Sequence, residues 1–174
     1  RETGNDSELE RVERSLDRVQ ELVTDLTALS RHGDAKGEHE PVSLAAVSRD
    51  AWETIETRSA TLSPTDVTVS ADRSQLQALL ENLFRNAVGH GGPEVSVRVG
   101  PLEGGFYVED TGEGIPEDTR EKVFEHGFTM GYGGSGIGLT IVSRIAQSHG
   151  WTVSLAESAE GGARFEFRET TEKT

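Results

Sequence analysis

Asn82 and Asn86 stand four residues apart in a leucine-rich stretch. At helical spacing their carboxamides share one face. A carboxamide oxygen is a hard ligand of the kind Mg²⁺ accepts alongside water and phosphate oxygens. Asn82 cannot take a proton from water at neutral pH, and Glu81 beside it points about 100° away around a helix. Farther on, Asp110 ends an alternating apolar–polar run and is followed by Thr111-Gly-Glu-Gly114. A carboxylate at a strand end can accept from an amine, and the glycines let backbone pass close to a flat ligand. The same residues also read as a plain turn. Gly134, Gly136 and Gly138 then run into an apolar-striped segment, and backbone N–H groups at a glycine-rich helix start hold phosphate.

The elements needed to position these groups follow from periodicity. Residues 7–31 read as one helix, with Ser7-Glu-Leu-Glu10 as a capping box. Leu9, Val12, Leu16, Val19, Val23 and Leu26 form a coiled-coil seam on this helix, which is about 37 Å long, and Gly33 is the expected stop. Residues 32–41 read as linker. A helix is expected around 44–58 and a strand over Val67–Ser70. Asp72, with Gln75, caps a second helix whose apolar set is Leu76, Leu79, Leu80, Leu83, Phe84 and Ala87. Glu94–Gly100 and Gly105–Glu109 read as a hairpin, Glu117–Glu125 as a short helix, and residues 126–135 as a glycine-rich loop. Ile137, Ile141, Val142 and Ile145 stripe a third helix, before a closing hairpin of Trp151–Ala156 and Ala163–Arg168. The expected class is α+β, helices on a mostly antiparallel sheet in two layers.

Composition narrows the function. The 174 residues suit one domain plus an appendage. No apolar run is long enough to span a membrane, the N-terminus is not a signal peptide, and no cysteine is available for disulfide or thiol chemistry. A net charge of −14 argues against nonspecific nucleic-acid binding. Asp and Glu number 31 against 17 basic residues, of which only Lys36, Lys122 and Lys173 are lysines. That balance fits a salt-rich cytoplasm, where self-repulsion is screened, or an ordinary acidic bacterial protein; the halophile is preferred. Gly131-Tyr-Gly-Gly-Ser-Gly136 is formally a dinucleotide fingerprint with Glu157 as its acid. It is set aside, because a helix precedes it and too little chain follows Glu157 for a Rossmann half. No GxxxxGK phosphate loop occurs.

Glu81-Asn-Leu-Phe-Arg-Asn86, Glu109-Asp-Thr-Gly-Glu-Gly114, Val123-Phe-Glu-His-Gly-Phe128 and Gly134-Ser-Gly-Ile-Gly-Leu139 occur in that order. They resemble the N, G1, F and G2 boxes of a histidine-kinase ATP-binding domain, in the superfamily of gyrase and the mismatch-repair ATPases. The resemblance covers roughly residues 40–168. It implies a Bergerat-type two-layer α/β sandwich with an N-terminal coiled-coil helix, and ATP and Mg²⁺ as ligands. The implied catalytic residues are Asn82 and Asn86, with Asn86 on the metal. The implied nucleotide contacts are Asn82, Asn86, His90, Asp110, Gly112, Gly114, Ile115, Phe128, Gly134, Ser135, Gly136, Ile137, Gly138 and Leu139. Asp110 would read the adenine amine, and residues 126–135 would form a lid anchored by Phe124 and Phe128, although each phenylalanine taken singly reads better as core. Relatives that hydrolyse ATP carry glutamate where Asn82 stands, so phosphoryl transfer is expected instead. Gly89 departs from the lysine common there.

None of the five histidines (His32, His39, His90, His126, His149) has the context of a phospho-acceptor. The expected organisation is therefore the second helix of a dimerisation hairpin over 1–33, a linker over 34–41 and an ATP-binding domain over 42–170. The acceptor helix and sensor domain are expected outside this sequence. A homodimer through helix 7–31, a response-regulator receiver domain as partner, no nucleic acid, and a cytoplasmic location complete the expectation. Two alternatives stay open: a degenerate nucleotide-binding or dimerisation module, and a serine-directed or ATP-hydrolysing relative.

Overall fold

The computed structural model describes residues 3–32, 38–57, 59–92, 94–125 and 138–171. In chain order the elements are α1 (Thr3–His32), β1 (Glu40–Ser43), α2 (Leu44–Glu53), β2 (Thr61–Pro64), β3 (Thr68–Ala71), α3 (Arg73–His90), β4 (Ser96–Leu102), β5 (Gly105–Asp110), α4 (Gly138–Ser148), β6 (Trp151–Glu157) and β7 (Ala163–Glu169). The main sheet has the order β2-β4-β5-β7-β6, antiparallel except for the β2–β4 pair, and β1 and β3 form a separate antiparallel ribbon. The α+β two-layer class holds, with α2, α3 and α4 covering one face of the sheet.

Alternation along the strands decides which face is covered. Val97, Val99, Phe106, Val108, Phe165 and Phe167 point into the core with Leu76, Leu79, Leu80, Phe84, Ile141 and Ile145 from the helices. On the opposite face, Glu109 lies across from Arg98 and Arg164 and pairs with both, at 3.2 and 3.0 Å. Arg164 also reaches Glu166 and sits 4.0 Å above the Tyr107 ring. That face is a cross-strand charge ladder with Glu109 buried beneath its arginine partners, which explains charged residues inside strands.

Asp72 caps α3 as expected, accepting from Gln75 N–H at 2.9 Å. Burial alone would raise its carboxyl; the Gln75 and Ser74 bonds outweigh that and hold it below the ordinary value. The far side of this cap is a contact no periodicity announces. Asp72 N–H donates to His149 Nε2 at 3.1 Å, and His149 Nδ1 meets the Ile145 carbonyl at 2.8 Å. The His149 ring stacks on His39 at 4.6 Å and lies 4.4 Å from Trp151. One imidazole thus joins the segment before β1, the start of α3 and the end of α4.

Several expected boundaries are corrected. Helix α1 begins at Thr3, so Ser7 lies inside it and caps nothing; with no proline upstream, extending a nucleated helix is easier than stopping it. Helix α2 ends at Glu53, not 58, where Thr54 Oγ1 turns back to the Ala51 carbonyl at 2.8 Å and β-branched residues follow. Residues 117–125 form two 3₁₀ turns, Glu117–Thr119 and Lys122–Phe124, because Thr119 Oγ1 and Arg120 Nε take the Pro116 and Ile115 carbonyls. Residues 40 and 41 of the expected linker belong to β1, and β2 is a strand the sequence reading omitted. The Gly33 stop lies outside the described residues.

Helix α1 leaves its seam bare. Leu9, Val12, Leu16, Val19, Val23 and Leu26 are each 54–57% exposed, while Leu22, off the seam, packs against the core cluster. No helix among the described residues is long and apolar enough to cross a membrane.

Candidate functional site

Helix α3 presents the asparagines, and the start of α4 meets them. Asn82 is 5% exposed; its Nδ2 donates to the Ala78 carbonyl at 2.8 Å. Its Oδ1 faces Gly138, where a Cβ would lie 3.2 Å from it and 3.9 Å from Asn86 Oδ1. Both carboxamide oxygens therefore converge on the first residue of α4, as their four-residue spacing predicts. They are not equivalent. Asn82 is committed to the helix, whereas Asn86 is half-buried and its carboxamide meets no hydrogen-bond partner among the described residues. Glu81 is held to its own face by Gln77 at 3.1 Å and Arg85 at 3.6 Å.

The second half of the site is the end of β5. Asp110 Oδ1 accepts from Gly112 N–H at 2.9 Å and from Ala163 N–H at 3.2 Å. Oδ2 has no protein donor among the described residues. Burial pushes the carboxyl above its ordinary value, against the two N–H bonds; Glu109 adds to the rise and His90 opposes it. His90 is thus electrostatically within reach of Asp110, although sixty-odd ångströms of extended chain would separate them.

Two glycines fix the loop after Asp110. A Cβ on Gly112 would sit 2.7 Å from Gly91 Cα, so α3 and the Asp110 loop touch backbone to backbone. Gly114 has φ +76 and a Cβ there would lie 2.6 Å from the Gly161 carbonyl. Ile115 and Leu139 are partly buried against the core. Phe128, Gly134, Ser135, Gly136, Ile137 and the expected lid at 126–135 lie outside the described residues.

The sequence reading missed Gly91, Ser158, Gly162 and Ala163, which build the wall behind Asp110. Ser158-Ala-Glu-Gly-Gly162 reads only as a hairpin turn, and nothing local marks a turn that folds onto a residue 48 positions earlier. As for a metal, no three His, Cys, Asp or Glu side chains gather around one point among the described residues. The Asn86 carboxamide oxygen is a hard ligand of the kind Mg²⁺ accepts alongside water and phosphate oxygens.

The profile of the family described as histidine kinase-, DNA gyrase B-, and HSP90-like ATPase matches residues 71–172. The sensor-type histidine kinase PrrB of Mycobacterium leprae (strain TN) is 43% identical over 115 residues, which is 61% of this chain and 25% of PrrB. Among solved structures, the ATP-binding domain of PrrB from Mycobacterium tuberculosis covers 76% of this chain and 96% of its own, at 31% identity and TM-score 0.57. Full-length ShkA in complex with AMPPNP covers 94% of this chain and 39% of its own, at 27% identity and TM-score 0.69. The chain spans a quarter of the length of the curated relative. Fold, box order and matched profile agree: this chain belongs to the histidine kinase-, DNA gyrase B-, and HSP90-like ATPase family, as an ATP-binding domain of the sensor histidine kinase type.

Proposed function

We propose that the chain serves as the catalytic portion of a two-component sensor histidine kinase, directing the γ-phosphate of Mg²⁺-ATP to a histidine carried outside residues 1–174. The observation that carries this reading is a pair of polar groups with no partner among the described residues, Asp110 Oδ2 and the Asn86 carboxamide, joined through the Gly91–Gly112 contact. In this reading Asp110 accepts the exocyclic amine of adenine, where guanine presents an oxygen. Gly112, Gly114 and Ile115 carry backbone past the base, with His90 nearby. Residues 134–139 would bind the phosphates through backbone N–H groups, Phe128 would belong to the lid, and Asn86 would hold Mg²⁺ through its carboxamide oxygen. Bound Mg²⁺ neutralises phosphate charge. That ShkA was solved with AMPPNP, an ATP analogue, supports a nucleotide in this fold.

Asn82 supports transfer over hydrolysis. Its amide is tied to Ala78 and it has no basic site, so no general base stands there to activate water. The acceptor histidine nitrogen forms the new N–P bond as the bond to the β–γ bridging oxygen breaks and ADP leaves. The bare seam of α1 supports a homodimer built through that helix, residues 1–33 serving as half of a dimerisation hairpin before the domain at 42–170. A receiver domain as downstream partner, a cytoplasmic location and a salt-rich cell complete the proposal; the last rests on 31 acidic residues beside three lysines.

The test is radiolabel transfer from γ-labelled ATP with an acceptor-helix polypeptide added. Expected are acid-labile labelling of that helix, none of the chain alone, and loss of transfer in Asn86→Ala. Rapid acceptor-independent phosphate release, or acid-stable self-labelling, overturns the reading.

A further inference from the structure

The turn between β6 and β7 folds back onto the end of β5. Ser158 is 5% exposed, far more buried than a hairpin-turn serine has reason to be. Its Oγ donates to the Asp110 backbone carbonyl at 2.8 Å and accepts from Gly162 N–H at 2.9 Å. Its own N–H donates to the Gly162 carbonyl at 2.8 Å. The hydroxyl therefore spends its one proton on Asp110 and takes one bond from the turn. Gly162 fits beneath because it has no side chain: a Cβ there would collide with the Asp110 carbonyl oxygen and lie 2.6 Å from Asp110 Oδ1. The next residue, Ala163, is the one whose N–H reaches Oδ1 at 3.2 Å.

The consequence for Asp110 is a division of labour between its two oxygens. Oδ1 accepts two N–H bonds, one from each side, which fills its two lone-pair directions. Among the described residues, none donates to Oδ2, the oxygen left for a ligand. Without the serine, the Ala163 N–H would be free to drift from Oδ1, and the carboxylate could turn about its Cβ–Cγ bond, a broad torsion.

We propose that Ser158 is a positioning residue of the adenine site: by clamping the β6–β7 turn onto the Asp110 backbone it keeps Oδ1 saturated and presents Oδ2 alone to the exocyclic amine. The proposal rests on Asp110 reading that amine, as argued above. Ser158 touches no part of the nucleotide itself; its effect passes through Asp110 and through the N–H of Ala163.

The experiment compares ATP with purine riboside triphosphate, which lacks the 6-amino group, by titration calorimetry on the full chain. Wild type is expected to prefer ATP, and Asp110→Asn to lose that preference. Ser158→Ala should weaken ATP about five- to tenfold, the scale of one lost hydrogen bond, and leave the amine-free analogue within about twofold. Ser158→Thr, which keeps the hydroxyl, should restore the preference. If Ser158→Ala does not fold, Ser158→Cys, a weak donor of similar size, carries the same comparison in the same direction. Equal weakening of both nucleotides, or no change in either, overturns the positioning role while Asp110→Asn still responds. An unchanged preference in Asp110→Asn overturns the amine-reading role itself, and the inference with it.

Discussion

Burial raises the Asp110 carboxyl while bonds from Gly112 and Ala163 pull it down, and the net shift is upward from 3.8. The folded chain therefore holds a proton on Asp110 more readily than the unfolded chain does. By linkage, this group lowers stability as pH rises from 3.8 through its folded value, and at neutral pH its charge is a cost to the fold. Asp110→Asn should melt at a higher temperature than wild type at pH 7 and show a smaller difference near pH 4, while losing its preference for adenine. Scanning calorimetry at both pH values measures this; a variant less stable at pH 7 contradicts it. ATP affinity in wild type should in turn weaken as pH falls into a range above the ordinary carboxylate value. Gly89 offers the opposite kind of residue. It lies in α3, exposed, and a Cβ there would meet nothing within 4 Å. Gly89→Ala should stabilise by about 0.5–1 kcal/mol, roughly 1–4 °C in Tm for a chain of this size. Gly89→Lys should gain similarly and also tighten ATP binding by restoring a cation beside the phosphates; a melt and a titration on both variants separate the two effects.

At the scale of elements, the parts legible in the sequence are those whose reasons are local. The Asp72–Gln75 cap, the apolar stripe of α3 and the alternation of β4, β5 and β7 each declare themselves within one segment. Strands β1 and β2 do not. Each is four residues long and contains a proline, Pro41 or Pro64, tolerable because β1 belongs to a two-stranded ribbon and β2 lies at a sheet edge. Their partners lie far along the chain, so no local pattern reveals them. The candidate site divides the same way: the shared face of Asn82 and Asn86 and the strand-end place of Asp110 follow from local pattern, whereas Ser158 and Gly162 enter only through a contact made across the fold. His149 is the sharpest such case. Burial lowers its pKa from 6.5, the Ile145 carbonyl opposes that, His39 lowers it further, and Asp72 opposes. The folded chain favours the neutral ring more than the unfolded chain does, so this contribution is complete above pH 6.5 and is lost as pH falls through the lower folded value. Melting temperature should decline between pH 7 and pH 5, and His149→Gln should flatten that slope while lowering stability at pH 7. A slope unchanged by the substitution contradicts the assignment.

At the scale of the molecule, two regions follow different rules. Residues 40–171 close around one core, whereas α1 shows water six large apolar side chains in heptad register. Each is worth about 1.5–3 kcal/mol when fully buried, so association through this seam is expected at micromolar concentration. Light scattering should give a dimer for wild type and a monomer for the double variant Leu16→Asp, Val23→Asp, with the melting of residues 40–171 unchanged. A monomeric wild type removes the dimerisation role from α1.

The imidazole that joins three elements also has an optical consequence. Trp151 lies 4.4 Å from His149, while the other indole, Trp52, packs edge-on against Phe84 in the core. A protonated imidazole in contact with an indole quenches its fluorescence, and a neutral one does so far less. The chain thus carries its own emission probe at the junction between α4 and the segment before β1. Acidification should dim Trp151 at a pH where circular dichroism still reports the native fold, and Trp151→Phe should abolish the dimming while leaving the Trp52 signal. Because α4 spans only about 16 Å from Gly138 beside the asparagines to the turn that bears His149, the same emission offers a label-free way to ask whether filling the nucleotide site is felt at the other end of that helix.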